Sequence, residues 1–176
     1  MTATADGRPP LTVRAADPTQ TTDVAALALL RYTWRVGERG ESGDPAEFAA
    51  AFGTWWDENA HTHLAWLAER GGEPVGMAWL ALIHRVPGTE RFRRVSGNVQ
   101  SVYVLATERG VGTGALLVEA VVAHARADEL GYLTVHPSEL SYPLYERAGF
   151  ATSGGVLELG LAEPRRPAGY AAPRGQ

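Results

Sequence analysis

Three glycines within five residues, Gly110, Gly112 and Gly114, stand where a strand-like run gives way to a helix-like one. Ahead of them, Asn98–Leu105 alternates: Val99, Ser101, Tyr103 and Leu105 fall on one face, and Asn98, Gln100, Val102 and Val104 on the other. Behind them Leu117, Val121 and His124 form one stripe with Leu116, Ala120 and Ala123 beside it, which predicts a helix to about Leu130. A strand entering a helix this way implies a crossover to a parallel neighbour, for which Tyr132–Val135 is the next short apolar run. Glycine removes the Cβ atoms that keep a backbone away from a ligand. The first amides of a helix are unpaired, and its dipole favours negative charge there. Arg109–Gly114 therefore reads as a cradle for a phosphate or pyrophosphate.

Two familiar nucleotide folds do not fit this cradle. Gly110-Val111-Gly112-Thr113-Gly114-Ala115 satisfies the dinucleotide pattern G-x-G-x-x-A. That pattern expects an acidic residue at the end of the next strand, where this chain has Val135-His136-Pro137. It also expects repeated βαβ units, not the antiparallel run that precedes the loop here. A Walker A loop needs Gly-Lys-Ser/Thr, and the chain has no lysine at all.

The rest of the chain supplies the antiparallel part. Leu11–Ala15 reads as a strand and Asp23–Trp34 as a helix, with Val24, Leu27, Ala28 and Leu30 at helical spacing. After a polar segment, Val36–Gly43, Asp44 caps a second helix to about Trp56, with Pro45 in its first turn and Glu47 placed to close a capping box. His63–Glu69 and Pro74–His84 flank Gly71-Gly72 as a hairpin, and Val75, Met77, Trp79, Ala81 and Ile83 share one face of the second strand. Arg85–Gly97 is expected as a charged loop, Ser138–Ala148 as a turn or short helix around Pro143, and Val156–Leu161 as a final strand. The expected class is mixed α+β: a mostly antiparallel sheet with helices on both faces.

At 176 residues the chain is expected to form a single domain over residues 11–162, with disordered ends at 1–10 and 163–176. A net charge of −4 argues against a broad nucleic-acid surface. No apolar run approaches the ~18 residues of a membrane span, and Met1–Pro10 is too polar for a secretory signal. The expectation is a soluble, cytoplasmic protein with neither nucleic acid nor membrane as partner. There is no cysteine, so thiolate nucleophiles and thiolate metal sites are absent. His61-Thr62-His63 would put two imidazoles on one strand face, but with no nearby acid to complete a site no metal is expected.

Val102-Tyr103-Val104 followed by Arg109-Gly110-Val111-Gly112-Thr113-Gly114-Ala115-Leu116-Leu117 resembles the acetyl-CoA-binding signature R/Q-x-x-G-x-G/A of the GCN5-related N-acetyltransferase (GNAT) superfamily. Ser138-Glu139-Leu140-Ser141-Tyr142-Pro143-Leu144-Tyr145-Glu146-Arg147-Ala148-Gly149-Phe150 is similar to its second motif, N-x-x-A-x-x-L-Y-x-x-x-G-F. The resemblance implies a GNAT-like fold and acetyl-CoA as cosubstrate. It implies that Val102 and Val104 offer backbone groups to the pantetheine arm and thioester, at a bulge that splays the strand. Arg109, Gly110, Val111, Gly112, Thr113 and Gly114 would wrap the diphosphate, Ser138 would stand in for the motif's asparagine, and Tyr145 would face the thioester sulfur as general acid.

The implied activity is direct transfer of an acetyl group to a primary amine of a small molecule or peptide; a non-catalytic acyl-CoA-binding or sensing module is the alternative. Departures bear on mechanism. Asn98 stands where some protein-lysine acetyltransferases of the family carry a glutamate base, and Ala106 replaces a common proline. Glu38, Glu41, His84 and His136 are weighed as bases without a decision, and Tyr32 and Trp34 as walls of an acceptor pocket. The acceptor's identity and the oligomeric state, a homodimer included, stay open.

Overall fold

The computed structural model describes residues 7–153. The expected final strand Val156–Leu161 and the 163–176 tail lie outside the described residues, and the N-terminal end is described only from Gly7. Among the described residues five strands lie in the order β1-β2-β3-β4-β5. They are β1 (Leu11–Ala15), β2 (His63–Arg70), β3 (Glu73–His84), β4 (Val95–Val104) and β5 (Leu133–Val135). The first four pair antiparallel, and β4 pairs β5 in parallel across the helix that follows the glycines. That helix, α3, spans Thr113–Ala127; α1 (Thr21–Tyr32), α2 (Pro45–Asn59) and α4 (Tyr142–Arg147) complete the set. The mixed α+β architecture is as the sequence implies. Gly71 and Gly72 turn the β2–β3 hairpin with φ of +61° and +92°, a tight turn that glycine adopts without strain.

The sheet is covered on both sides. Met77, Trp79 and Tyr103 pack with Leu27, Leu30, Phe52 and Trp56 of α1 and α2. Ala78, Leu80 and Val99 pack with Leu117, Val118 and Val121 of α3 and with Tyr145 of α4. This corrects the one-faced reading of β3: its residues from Val75 to Ala81 are all buried, Val75 joins the α3 side, and Ile83 is 47% exposed. A strand sandwiched between helix layers buries both rows, so alternation alone understates its core. Leu117 is fully buried, and its truncation to alanine would cost about 2–5 kcal/mol.

β4 holds the second correction. It starts at Val95, so three strand residues, Val95 to Gly97, replace part of the expected loop, and its register against β3 shifts between Trp79 and Leu80. Trp79 opposes Ser101 while Leu80 opposes Val99, which leaves Gln100 as the extra residue of a bulge. The bulge resets the alternation, so Val99 joins Val102 and Val104 on the α3 side instead of facing with Ser101 and Tyr103.

Local anchors fix the helices that flank the sheet. The Asp44 carboxylate accepts from the amides of Ala46 and Glu47, as a cap should. Arg14 of β1 forks onto Asp23 of α1 with two 2.7 Å bonds and reaches Glu69 of β2 at 2.7 Å. Beyond α1 the chain widens into a π-helical turn, Thr33–Glu38, closed by the Arg39 amide on the Trp34 carbonyl. Such turns re-aim the side chains around them.

Candidate active site

β5 reaches only the first half of β4: its partners are Gly97, Asn98 and Val99. From the Gln100 bulge onward that edge of β4 has no strand beside it among the described residues. The Leu105 amide bonds to the Val75 carbonyl of β3, so by alternation Tyr103 also bonds toward β3. Val102 and Val104 therefore turn their amides and carbonyls to the unpaired edge. The bulge and the short β5 together leave an opening along this edge, faced by backbone amides and carbonyls.

The glycine segment closes one end of this opening. Gly110 and Gly112 hold φ of +78° and +92°, and a Cβ at either would meet nothing within 4 Å. Gly114 has no such constraint; a Cβ there would make ordinary contact with Leu144. The first α3 bond runs from the Leu116 amide to the Gly112 carbonyl, leaving the amides of Thr113, Gly114 and Ala115 ahead of the ladder. Thr113 is buried and donates its hydroxyl to the Glu108 carbonyl, so it offers the opening only its amide. Val111 is half exposed on the loop. Open space, bare backbone and a helix start fit a diphosphate. The Arg109 side chain turns back instead: Nε donates to the Val104 carbonyl at 2.9 Å, and the guanidinium pairs with Glu38 at 2.5 Å.

Tyr145 is buried, edge-on to Phe150 with centroids 5.5 Å apart. Its hydroxyl has no hydrogen-bond partner among the described residues, and burial pushes its pKa above the ordinary 10. It stays a proton donor throughout the neutral range. Ser138 is exposed, and its hydroxyl lies 3.0 Å from that of Ser141 in its own turn.

On the opposite side of β4 a cavity of about 350 Å³ is bounded by Arg31 of α1, by Phe48, Ala51, Phe52 and Trp55 of α2, and by Trp79, Gln100 and Ser101 of the sheet. The bulge residue thus belongs to one wall of the cavity, and the opening begins just beyond it. Arg31 donates to the Ser101 hydroxyl at 2.6 Å and lies over the Trp34 ring, 5.0 Å from its centroid.

The profile of the acetyltransferase (GNAT) family matches residues 27–150, well over half of the chain. The chain belongs to that family. Solved structures agree on the GNAT fold. A predicted acetyltransferase from Clostridium acetobutylicum, solved with acetyl-CoA, is 21% identical, covers 89% of this chain and all of its own, and superposes with a TM-score of 0.69. An integron cassette protein from the Cole Harbour Salt Marsh metagenome is 27% identical over 86% of this chain and 91% of its own, with a TM-score of 0.66. An aminoglycoside acetyltransferase from a soil metagenome, in complex with sisomicin, is 10% identical over 88% and 97%, with a TM-score of 0.63. No curated protein matches the sequence.

Within this GNAT fold the remaining candidates separate. Asn98 donates to the Thr134 hydroxyl at 2.9 Å and so ties β4 to β5. Glu38 and Glu41 are ion-paired with Arg109 and Arg35, and His84 and His136 are exposed. Trp34 stacks on Tyr103 at 5.9 Å, and the Tyr32 hydroxyl donates to the Gly43 carbonyl; neither bounds the cavity. The cavity's own Arg31, Phe48, Phe52, Gln100 and Ser101 were not anticipated as site residues. Gln100 and Ser101 left one trace, as polar residues in an apolar strand immediately before Val102.

Proposed function

We propose that the protein transfers the acetyl group of acetyl-CoA directly to a primary amine of a small molecule or peptide. The reading is carried by the conjunction of the Val102 and Val104 amides, which no described strand pairs, with the bare glycine turn at the start of α3. When bound, acetyl-CoA supplies the activated acyl group. The loop amides from Gly110 to Gly114 hold its diphosphate, and Ser138 is the candidate contact for the pantetheine arm.

The amides of Val102 and Val104 are oriented to donate to the thioester oxygen, which gains charge as the amine attacks. Tyr145 then gives its hydroxyl proton to the departing sulfur. Since a thiolate already leaves readily, the benefit of that proton belongs at the low end of general-acid effects, about 10²-fold. The amine must arrive neutral. With Glu38 and Glu41 both ion-paired, its proton is assigned to solvent and to no side chain. The test is release of free CoA thiol from acetyl-CoA with an amine panel, beside calorimetry of CoA binding. Binding without thiol release from any amine would select the non-catalytic sensing module.

A further inference from the structure

We infer that the acceptor is a small primary amine bearing a carboxylate beside an apolar or aromatic body, with the carboxylate held by Arg31 and Ser101. This deepens the acetyltransferase reading and rests on it.

Four observations converge. First, Arg31 is half-buried on the cavity wall with no carboxylate at ion-pair distance among the described residues, whereas Arg70, placed as deeply, has Glu108 at 2.8 Å. A guanidinium removed from water without a counter-charge is costly and calls for an anion. Burial and the neighbouring Arg35 both lower its pKa, opposed by Glu41, so its charge is under-compensated. Second, Ser101, itself buried, accepts from Arg31 and so keeps its own proton to donate. One guanidinium and one hydroxyl suit a single negative charge, as on a carboxylate, better than a phosphate dianion.

Third, the rest of the wall is Phe48, Phe52, Trp55 and Trp79, a surface for an apolar body, and the Trp79 indole N–H is buried with no acceptor among the described residues. Native structures rarely leave such a donor unsatisfied. Fourth, the surrounding charge is locally inverted. Arg31, Arg35 and Arg39 all lie within 6 Å of the Trp34 ring, and with Arg109 they face Glu38 and Glu41, in a chain whose net charge is −4. An amine anchored by its carboxylate at Ser101 is three residues of β4 from Val104, about 10 Å. That is within the reach of an amino-acid-sized molecule toward the thioester.

The experiment pairs apolar and aromatic L-amino acids, L-phenylalanine among them, with their amides, and follows thiol release in the wild type and in Arg31→Met. The acids are expected to exceed their amides by about 100-fold in kcat/KM, with the ratio falling near one in Arg31→Met. A binding arm titrates N-acetyl-L-phenylalanine and its amide into the protein, with and without CoA. There the acid should bind at least tenfold more tightly, and Arg31→Met should erase the difference while the CoA affinity is retained. Amides matching or exceeding acids in both arms, or a ratio untouched by Arg31→Met, overturns the inference. If CoA fails to bind, the acetyltransferase reading falls, and the binding arm still judges the carboxylate site.

Discussion

The two sides of β4 are built from different material. The opening toward α3 is made of backbone: free strand amides, a positive-φ turn and the first turn of a helix. The cavity toward α1 and α2 is made of side chains drawn from four separate segments of the sequence. A backbone site tolerates change in most side chains provided that the glycines keep their conformation, so one such site can serve a cosubstrate common to a whole family. A side-chain site changes with each substitution, which is where an acceptor preference can reside. On the proposed reading one strand serves both tasks, since the Gln100 bulge lies between the β5-paired half of β4 and Ser101 on the cavity wall.

The largest effect should come from attacking the backbone side. Gly112→Asp forces a φ of +92° on a residue that resists it and puts a negative charge where the diphosphate is expected. Acetyl-CoA affinity measured by calorimetry should drop at least 100-fold, while circular dichroism still reports a folded chain. Unaltered affinity would remove the backbone side from the comparison altogether.

Next in size is Tyr145→Phe, which keeps the packing against Phe150 and removes only the hydroxyl. A loss of about 10²-fold in kcat with little change in KM for acetyl-CoA is expected under conditions where chemistry limits the rate. The pH profile carries the sign. In the proposed mechanism Tyr145 acts in its protonated form; burial raises its pKa above 10, so activity dependent on it should be lost only as pH rises through that raised value. An alkaline limb below pH 9 would belong to another group.

A smaller effect concerns the frame. Asp23 is buried, and its pKa is lowered chiefly by hydrogen bonding to Arg14, with burial opposing. A depressed carboxyl pKa stabilises the fold above the unfolded value of ~3.9, and that stability is lost as pH falls through the folded value. Because Arg14 is 43% exposed, Asp23→Ala should cost about 2 kcal/mol at neutral pH, below the range for a fully buried pair. The deficit should shrink on acidification to pH 3, as thermal melts would show.

How legible each side was follows from what builds it. Glycine spacing after an alternating run encodes the loop, and a local hairpin encodes β2–β3, so both can be read along the chain. The Gln100 bulge leaves no local mark except two polar residues, and it reset the face of Val99. The cavity needs α1, α2 and two strands to be brought together. Arg31 looks like any cation in a helix's last turn until the fold is known, and what sets it apart is that no carboxylate lies at ion-pair distance from it among the described residues. Trp79 read as core and is core, yet the same ring bounds the cavity.

The smallest expected effect tests whether β5 belongs to the frame or to the chemistry. The resemblance to the GNAT signature raises the position of Asn98 as one for a glutamate base, but here its amide donates to Thr134 along the β4–β5 seam and it does not bound the cavity. Losing one neutral hydrogen bond of this kind costs about 1 kcal/mol. Asn98→Ala should therefore lower the melting temperature by a few degrees, with kcat and its pH dependence within twofold of the wild type. Asn98→Glu should not raise the rate either, because a carboxylate at this position would face β5 and not the amine. A rate gain in that variant would mean that the acceptor approaches from the β5 side, and the division of labour across β4 would have to be redrawn.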